Sequence, residues 1–401
     1  MIGYKKDLLY TTFLVDEAFD LKNQGFISDA DFVGIMHKNP SLKTNRNYLV
    51  RAGFFLLGSL LFAANMGLLA WFVFASGGDF DSRLIIYFCL ATVLGVIVCE
   101  VLAKDHYRYG IDDALLIGAL GSFYGFIINI YSYCLQAQTD PYASLEGVQV
   151  YIALLMAIAA VFVCLRYCNW IAAVIALVCS TACLYFALAQ LKFGMQLMPF
   201  LMLFVGLVYF YLFRVLNKNN KVYYYINSLT VIKIFSLLLI YLSCNYLVVR
   251  SLSEVVLQST FTQQHDVPFA PLFWIVTFAV PVLYLILSIL TTDKIMLYIG
   301  FITMCFSLYT FRSFYHLLPI EVALTFGGIL VFTTTFFIIK KIKYRRVGFT
   351  FLASKSVKLS MANNVEALVT NSQVTLQTEV FSSAMEFGGG GFSGGGAGDS
   401  F

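Results

Sequence analysis

Apolar residues gather in ten stretches separated by short polar breaks, near residues 52–76, 83–103, 114–135, 148–165, 169–190, 195–214, 224–249, 270–290, 295–311 and 320–339. About 20 apolar residues of helix cross the ~30 Å hydrocarbon core of a bilayer, so each stretch predicts one transmembrane helix. Two of the divisions rest on length. As one helix, the run from Val148 to Gln190 would be about 65 Å long at 1.5 Å per residue, twice the thickness of that core. Arg166-Tyr167-Cys168-Asn169 therefore predicts a tight turn between two spans, and the break from Arg312 to Pro319 is placed in the same way.

Composition supports this pattern, because 60% of the 401 residues are hydrophobic and only 12% are charged. Soluble domains carry about 25% charged residues. The fold class expected is an all-α, polytopic transmembrane bundle of about ten spans. The net charge of +4 matters less than where the cations lie, and it does not point to nucleic acid. With the N-terminus inside, all but five of the 26 Lys and Arg fall in cytoplasmic segments. Arg83, Lys192, Arg250 and Arg312 face outward, and Lys233 lies within a span. Gaining or losing one span would reverse every later loop and spoil the asymmetry, so both termini are expected in the cytoplasm. Trp71, Trp170 and Trp274 fall close to span ends, where amphipathic rings sit at the interface. The first 50 residues lack the apolar core and small-residue site of a cleavable signal peptide, so the first span is expected to direct insertion.

Outside the spans the chain divides into further regions. Residues 1–50 predict a cytoplasmic helical hairpin: one helix through Asp20, a turn at Gln24-Gly25-Phe26, and a second helix. Ser28 and Asp31 resemble a capping box at the start of that second helix, Phe32, Ile35 and Met36 give it an apolar face, and Asn39-Pro40 ends it. The transmembrane domain covers 51–340. Its longest outer segment, Arg250 to Pro268, is either a lid or a plain connection. Residues 341–386 are basic and include a short helical stretch at 364–369. The glycine-rich end, 387–401, cannot repay the entropy of ordering, so a flexible tail is expected. Phe387, Phe392 and Phe401 punctuate it, either as contact points for another protein or as parts of an unpartnered tail.

The string Leu21-Lys22-Asn23-Gln24-Gly25-Phe26-Ile27-Ser28-Asp29-Ala30-Asp31, followed by basic residues and closely spaced spans, resembles a group of uncharacterised bacterial multi-pass membrane proteins. These begin with a helical pair around a Gly-x-Ile-Ser turn. The tail is similar to the Gly-rich, Phe/Ser-containing ends of some TPM-domain membrane proteins. The resemblance implies a bacterial cytoplasmic (inner) membrane protein. The chain shows no TPM domain, so no activity is carried over from that group.

Chemistry-bearing residues are sparse. Ionisable groups within the hydrocarbon are costly and read first as functional. Lys233 stands well inside the seventh span and Glu100 near the inner end of the second. They are expected either to pair across the bundle or to serve separately, Lys233 snorkelling to the interface or binding an anionic group. Asn65, Asn129 and Asn245 are polar residues at depth that either line a substrate cavity with Lys233 and Glu100 or hydrogen-bond between helices, as do Ser236 and Thr333-Thr334-Thr335. Gly118, Gly121 and Gly125 include a GxxxG spacing for close helix packing. Pro281 leaves the Thr277 carbonyl without a helical donor, which makes it a candidate gating kink. The string 104–113, Lys-Asp-His-Tyr-Arg-Tyr-Gly-Ile-Asp-Asp, gathers acids, bases and His106 at the headgroup level.

His37, His106, His265 and His316 lack ligand spacing, and no two of the nine cysteines form a CxxC, so no metal or cofactor is expected. The cysteines read as small packing residues. No catalytic signature is present. Three functions remain: translocation of a small or lipidic solute, a scaffold that binds other proteins through hairpin and tail, or an enzyme acting on lipid headgroups. The last requires Glu100, His106, Asp112 and Asp113 to converge. The only partner the sequence demands is the bilayer.

Overall fold

The computed structural model describes residues 2–23, 25–75, 77–136, 147–191, 194–218, 224–257, 269–291 and 293–314, with scattered helical positions from 325 to 340. Most of the tenth apolar run, the outer loop beyond 257, His265, His316, the 333–335 threonines, the 341–386 segment and the tail with Phe387, Phe392 and Phe401 lie outside the described residues.

Two compact units form. One contains residues 6–42, with α1 (Lys6–Asn23) and α2 (Asp29–Lys38). Leu14, Val15, Ala18 and Leu21 of α1 recur at helical spacing and bury against Phe32 and Ile35 of α2. The Ser28 hydroxyl accepts from Asp31 N at 3.2 Å, and the Asp31 carboxylate accepts from Ser28 N at 3.4 Å, which completes the capping box. Gly25 supplies the left-handed turn between the helices at φ 78°. Leu42 N donates to Thr12 Oγ1 at 2.9 Å and ties the segment after α2 back to α1.

The second unit contains residues 2–5 and the described residues from Lys43 to Lys340. Residues 2–5 thus group with the helices that follow Lys43. Gly3 N donates to Arg166 O at 2.8 Å, and Tyr4 is buried edge-on against Tyr107, so the first residues belong to the bundle.

Its helices are α3 (Tyr48–Ala75), α4 (Phe80–Leu102), α5 (Ile111–Gln136), α6 (Val148–Tyr167), α7 (Trp170–Ala189), α8 (Gly194–Lys218), α9 (Ile226–Cys244), α10 (Tyr246–Leu257), α11 (Ala270–Thr291) and α12 (Lys294–Phe314). Among the described residues, nine of these, all except α10, are long and apolar enough to cross a membrane, so the chain is an all-helical, multi-pass membrane protein. Helices consecutive in sequence pack in pairs, α4 on α5, α6 on α7, α8 on α9 and α11 on α12, while α9 touches α7, α8, α10, α11 and α12. The turn at Arg166-Tyr167-Cys168-Asn169 lies where length requires it. Cys168 takes left-handed φ 50° to end α6, and Asn169 caps α7.

Small residues set the close approaches. A Cβ on Gly95 would meet Ala119 Cβ at 2.8 Å, and one on Gly118 or Gly125 would strike the rings of Phe62 or Phe88. Gly121 faces open space, so the GxxxG spacing is used differently from its usual reading: two glycines seven apart receive aromatic rings.

The seventh apolar run departs from expectation. It was read as unbroken to residue 249, yet the helix stops at Cys244 and restarts at Tyr246. Asn245 leaves the helix at ψ 125°, and its Oδ1 accepts from Leu247 N at 3.0 Å and Val248 N at 3.3 Å. Thr277 Oγ1 accepts from Tyr246 N at 3.0 Å. Side chains replace the helical bonds that the break removes, which makes it tolerable at depth.

Candidate functional site

Six helix ends meet in one layer. The starts of α3, α5, α7 and α9 and the ends of α4 and α6 are joined there by side-chain hydrogen bonds among Arg51, Asp113, Asn169, Ser228, Glu100 and Arg166. Charge collects in this layer because carrying it deeper would strip it of water.

Asp113, in the first turn of α5, is the floor of the layer. Its Oδ2 accepts from Arg51 Nε at 3.0 Å and also from Nη2, while Oδ1 accepts from Asn169 Nδ2 at 2.7 Å. Asn169 is oriented by this bond, and its own Oδ1 caps α7 through Ile171 N at 2.7 Å and Ala172 N at 3.2 Å. One carboxylate therefore links α3, α5 and α7. Asp112, its neighbour, turns the other way and accepts from Gly110 N at 2.7 Å.

Above this floor opens a cleft of about 450 Å3. Its polar groups are Arg51, Arg108, Asp113, Asn227 and Thr230. Ala52, Phe55, Ile171 and Val231 supply apolar lining, with Tyr48 and Trp170 also lining the space. Both aromatic residues are exposed, in keeping with rings at a membrane interface. Arg108 is held by the segment between α4 and α5, which is itself pinned by Asn45 Nδ2 donating to Tyr109 O at 2.8 Å. Arg108 adopts left-handed φ 54°, and its Nε is buried with no hydrogen-bond acceptor among the described residues.

Two further ion pairs lie in the bundle. Arg166 Nη2 donates to Glu100 Oε2 at 2.8 Å, and Tyr167 OH donates to Glu100 Oε1 at 2.6 Å. Lys233 pairs with Asp293, the residue that caps α12 through Ile295 N at 3.1 Å, and its ammonium lies 5.4 Å from the Phe213 ring centre. Of the alternatives left open by the sequence, a Lys233–Glu100 pair does not form, because each residue has a partner from another helix. The convergence of Glu100, His106, Asp112 and Asp113 that a headgroup enzyme would require is absent too: of these four, only Asp113 lines the cleft, and the His106 ring stands edge-on to Tyr109.

The remaining candidates are dispersed. Asn65 Nδ2 donates to Leu61 O at 2.8 Å and Asn129 Nδ2 to Gly125 O at 2.7 Å, each within its own helix. Asn245 is fully buried and bonds Tyr241 OH at 2.9 Å and Thr310 Oγ1 at 3.1 Å. The Thr277 carbonyl deprived of its donor by Pro281 accepts from Ser307 Oγ at 2.7 Å. Sequence reasoning missed Arg51, Asn169 and Trp170 as one site. The available signal was Asn169 immediately before an apolar run, the mark of a helix cap.

Burial pushes the Cys168 thiol up to about 12, which leaves it a poor nucleophile at neutral pH. Burial, followed by the nearby charge of Asp112, raises the Tyr4 phenol well above its ordinary range. All nine cysteines are free, and among the described residues no three His, Cys, Asp or Glu side chains gather as a metal site. Comparison with protein-family models, with curated proteins and with solved structures finds no match.

Proposed function

We propose that this multi-pass protein resides in a bacterial inner membrane with both termini cytoplasmic, binds a small amphiphilic or lipidic solute in the Arg51–Asp113 cleft, and moves it across the bilayer. The observation that carries the reading is the cleft itself, lined by both polar and apolar side chains and set among the ends of membrane-crossing helices. Its volume of about 450 Å3 falls within the ~300–1,000 Å3 of typical ligand sites. A headgroup with the start of its chain would match both kinds of lining. Asp113 and Glu100 are each engaged by an arginine and a second donor, which favours a binding role for this layer over acid–base catalysis.

The test is transbilayer movement of a fluorescent lipid analogue in liposomes containing the purified protein. Val231→Trp, which fills the cleft from α9, is expected to abolish movement while leaving the thermal transition of the protein in place. Unchanged movement in that variant would remove the cleft from the pathway.

A further inference from the structure

We infer that the lipid taken by this cleft carries a net negative, phosphate-bearing headgroup, and that Arg108 holds the phosphate. The inference rests on the amphiphile-binding reading above and names its ligand class.

Arg51 is matched by Asp113, Arg166 by Glu100 and Lys233 by Asp293, so each of these cations has its anion within the protein. Arg108 lines the same cleft without such a match: among the described residues no carboxylate pairs with it, and its buried Nε finds no acceptor. A buried guanidinium N–H without an acceptor is costly, and a planar donor fork fits a phosphate oxygen pair.

Backbone conformation gives an independent indication. Arg108 is held at φ 54°, an unusual conformation for a residue with a long side chain, and strain of this kind persists where a ligand clamp is built. Gly110 follows at φ 114°, where an added Cβ would collide with the Arg51 carbonyl, so the segment is pressed against the start of α3. That contact holds Arg108 beside the cleft.

The carboxylate on the floor does not oppose an anion. Both oxygens of Asp113 are occupied, one by Arg51 and one by Asn169. Phe55, Ile171 and Val231 distinguish the source of the phosphate, because a free ion would gain nothing from apolar lining whereas the first methylenes of a lipid chain would.

The experiment uses the full-length protein in detergent, titrated with phosphatidylglycerol, with phosphatidylcholine and with inorganic phosphate, and read by native mass spectrometry. The wild type is expected to hold phosphatidylglycerol at least about tenfold more tightly than phosphatidylcholine, as one charge-assisted contact predicts. Inorganic phosphate should not displace it. Arg108→Asn should lose the preference while unfolding at the same temperature or higher, since asparagine tolerates left-handed φ. Arg108→Gly serves where the first variant does not fold. A retained preference in either variant overturns the inference, and displacement by inorganic phosphate overturns the lipid assignment. If Val231→Trp abolishes lipid binding but Arg108→Asn leaves the preference intact, the amphiphile reading survives and the anionic one fails. If Val231→Trp leaves all lipid binding unchanged, the parent reading fails.

Discussion

Replacing Asp113 by alanine removes the acceptor shared by α3 and α7, and the structure sets the size of the effect. The Arg51 and Asp113 side chains are only 13% and 5% exposed, so the guanidinium left behind has little access to water. Breaking a buried pair by deleting one partner costs about 3–5 kcal/mol, chiefly because an unpaired buried charge remains. Asn169 Nδ2 loses its acceptor in the same stroke, and the amide that caps α7 is freed to rotate. Removing Arg51 as well takes away the stranded charge. Asp113→Ala should therefore cost about 3–5 kcal/mol, and Arg51→Ala/Asp113→Ala less than the sum of its single changes. The Lys22–Asp29 pair supplies the contrast, since Asp29 is 83% exposed and its loss should cost at most about 1 kcal/mol.

The measurement is reversible unfolding of purified protein in mixed micelles of rising dodecyl sulfate content, followed by helix content for the wild type, the two single variants and the double variant. A loss below about 1 kcal/mol for Asp113→Ala, the range of an exposed pair, would refute the reasoning. So would a double variant whose loss equals the sum of the singles, because the two residues would then not interact.

Three further outcomes follow from local geometry. Ser307→Ala leaves both the Thr277 carbonyl and Tyr241 OH short of a partner and should cost about 1–3 kcal/mol; the loss should shrink in a Pro281→Ala background, where Thr277 regains its helical donor, as the same micelle unfolding can show. Gly110→Ala combines φ 114° with a collision at the Arg51 carbonyl and should lower stability by on the order of 1–3 kcal/mol or more, read as a lower thermal transition. The side-chain and backbone hydrogen bonds from Ser82 hold the Asp79 carboxyl below its ordinary value. A lowered folded value means the carboxylate's contribution is complete above about pH 4 and is lost as pH falls through the folded value. Amide exchange at the start of α4 should accelerate over that acidic window in the wild type and lose the dependence in Asp79→Asn, which keeps a capping oxygen; an identical pH profile in the variant would sink the assignment.

Period and length made the helices legible, and the break before Asn169 followed from length alone. Partner choice was less visible. Asp113 lies 62 residues from Arg51, Glu100 66 from Arg166 and Lys233 60 from Asp293, so each pairing depends on which helix ends share a layer. Local spacing contains no such information, and the 104–113 string read as a loop because nothing in it marks Asp113 as lying under Arg51. For Asn245 the sequence left a cavity or an interhelical hydrogen bond open; the residue bonds Thr310 of α12, but its second task, ending one helix and capping the next with the same side chain, leaves no mark in an apolar run.

Hydrogen-bond satisfaction separates the two kinds of polar residue in the bundle. Across α9, α11 and α12, Tyr241, Ser307, Thr277, Asn245 and Thr310 bond to one another or to a carbonyl, and all five are almost wholly buried. Groups so fully matched gain nothing from a solute and would lose bonds by admitting one, so their place at depth is explained by fixing the register of three helices. At the cleft the balance is reversed. The Arg108 Nε is buried without an acceptor among the described residues while the side chain lines the cleft, and on the proposed reading an anionic headgroup there would engage the guanidinium at no cost to an existing ion pair. On the proposed reading, depth in the membrane is therefore a poorer guide to a binding residue in this chain than an unmatched polar group such as the Arg108 Nε.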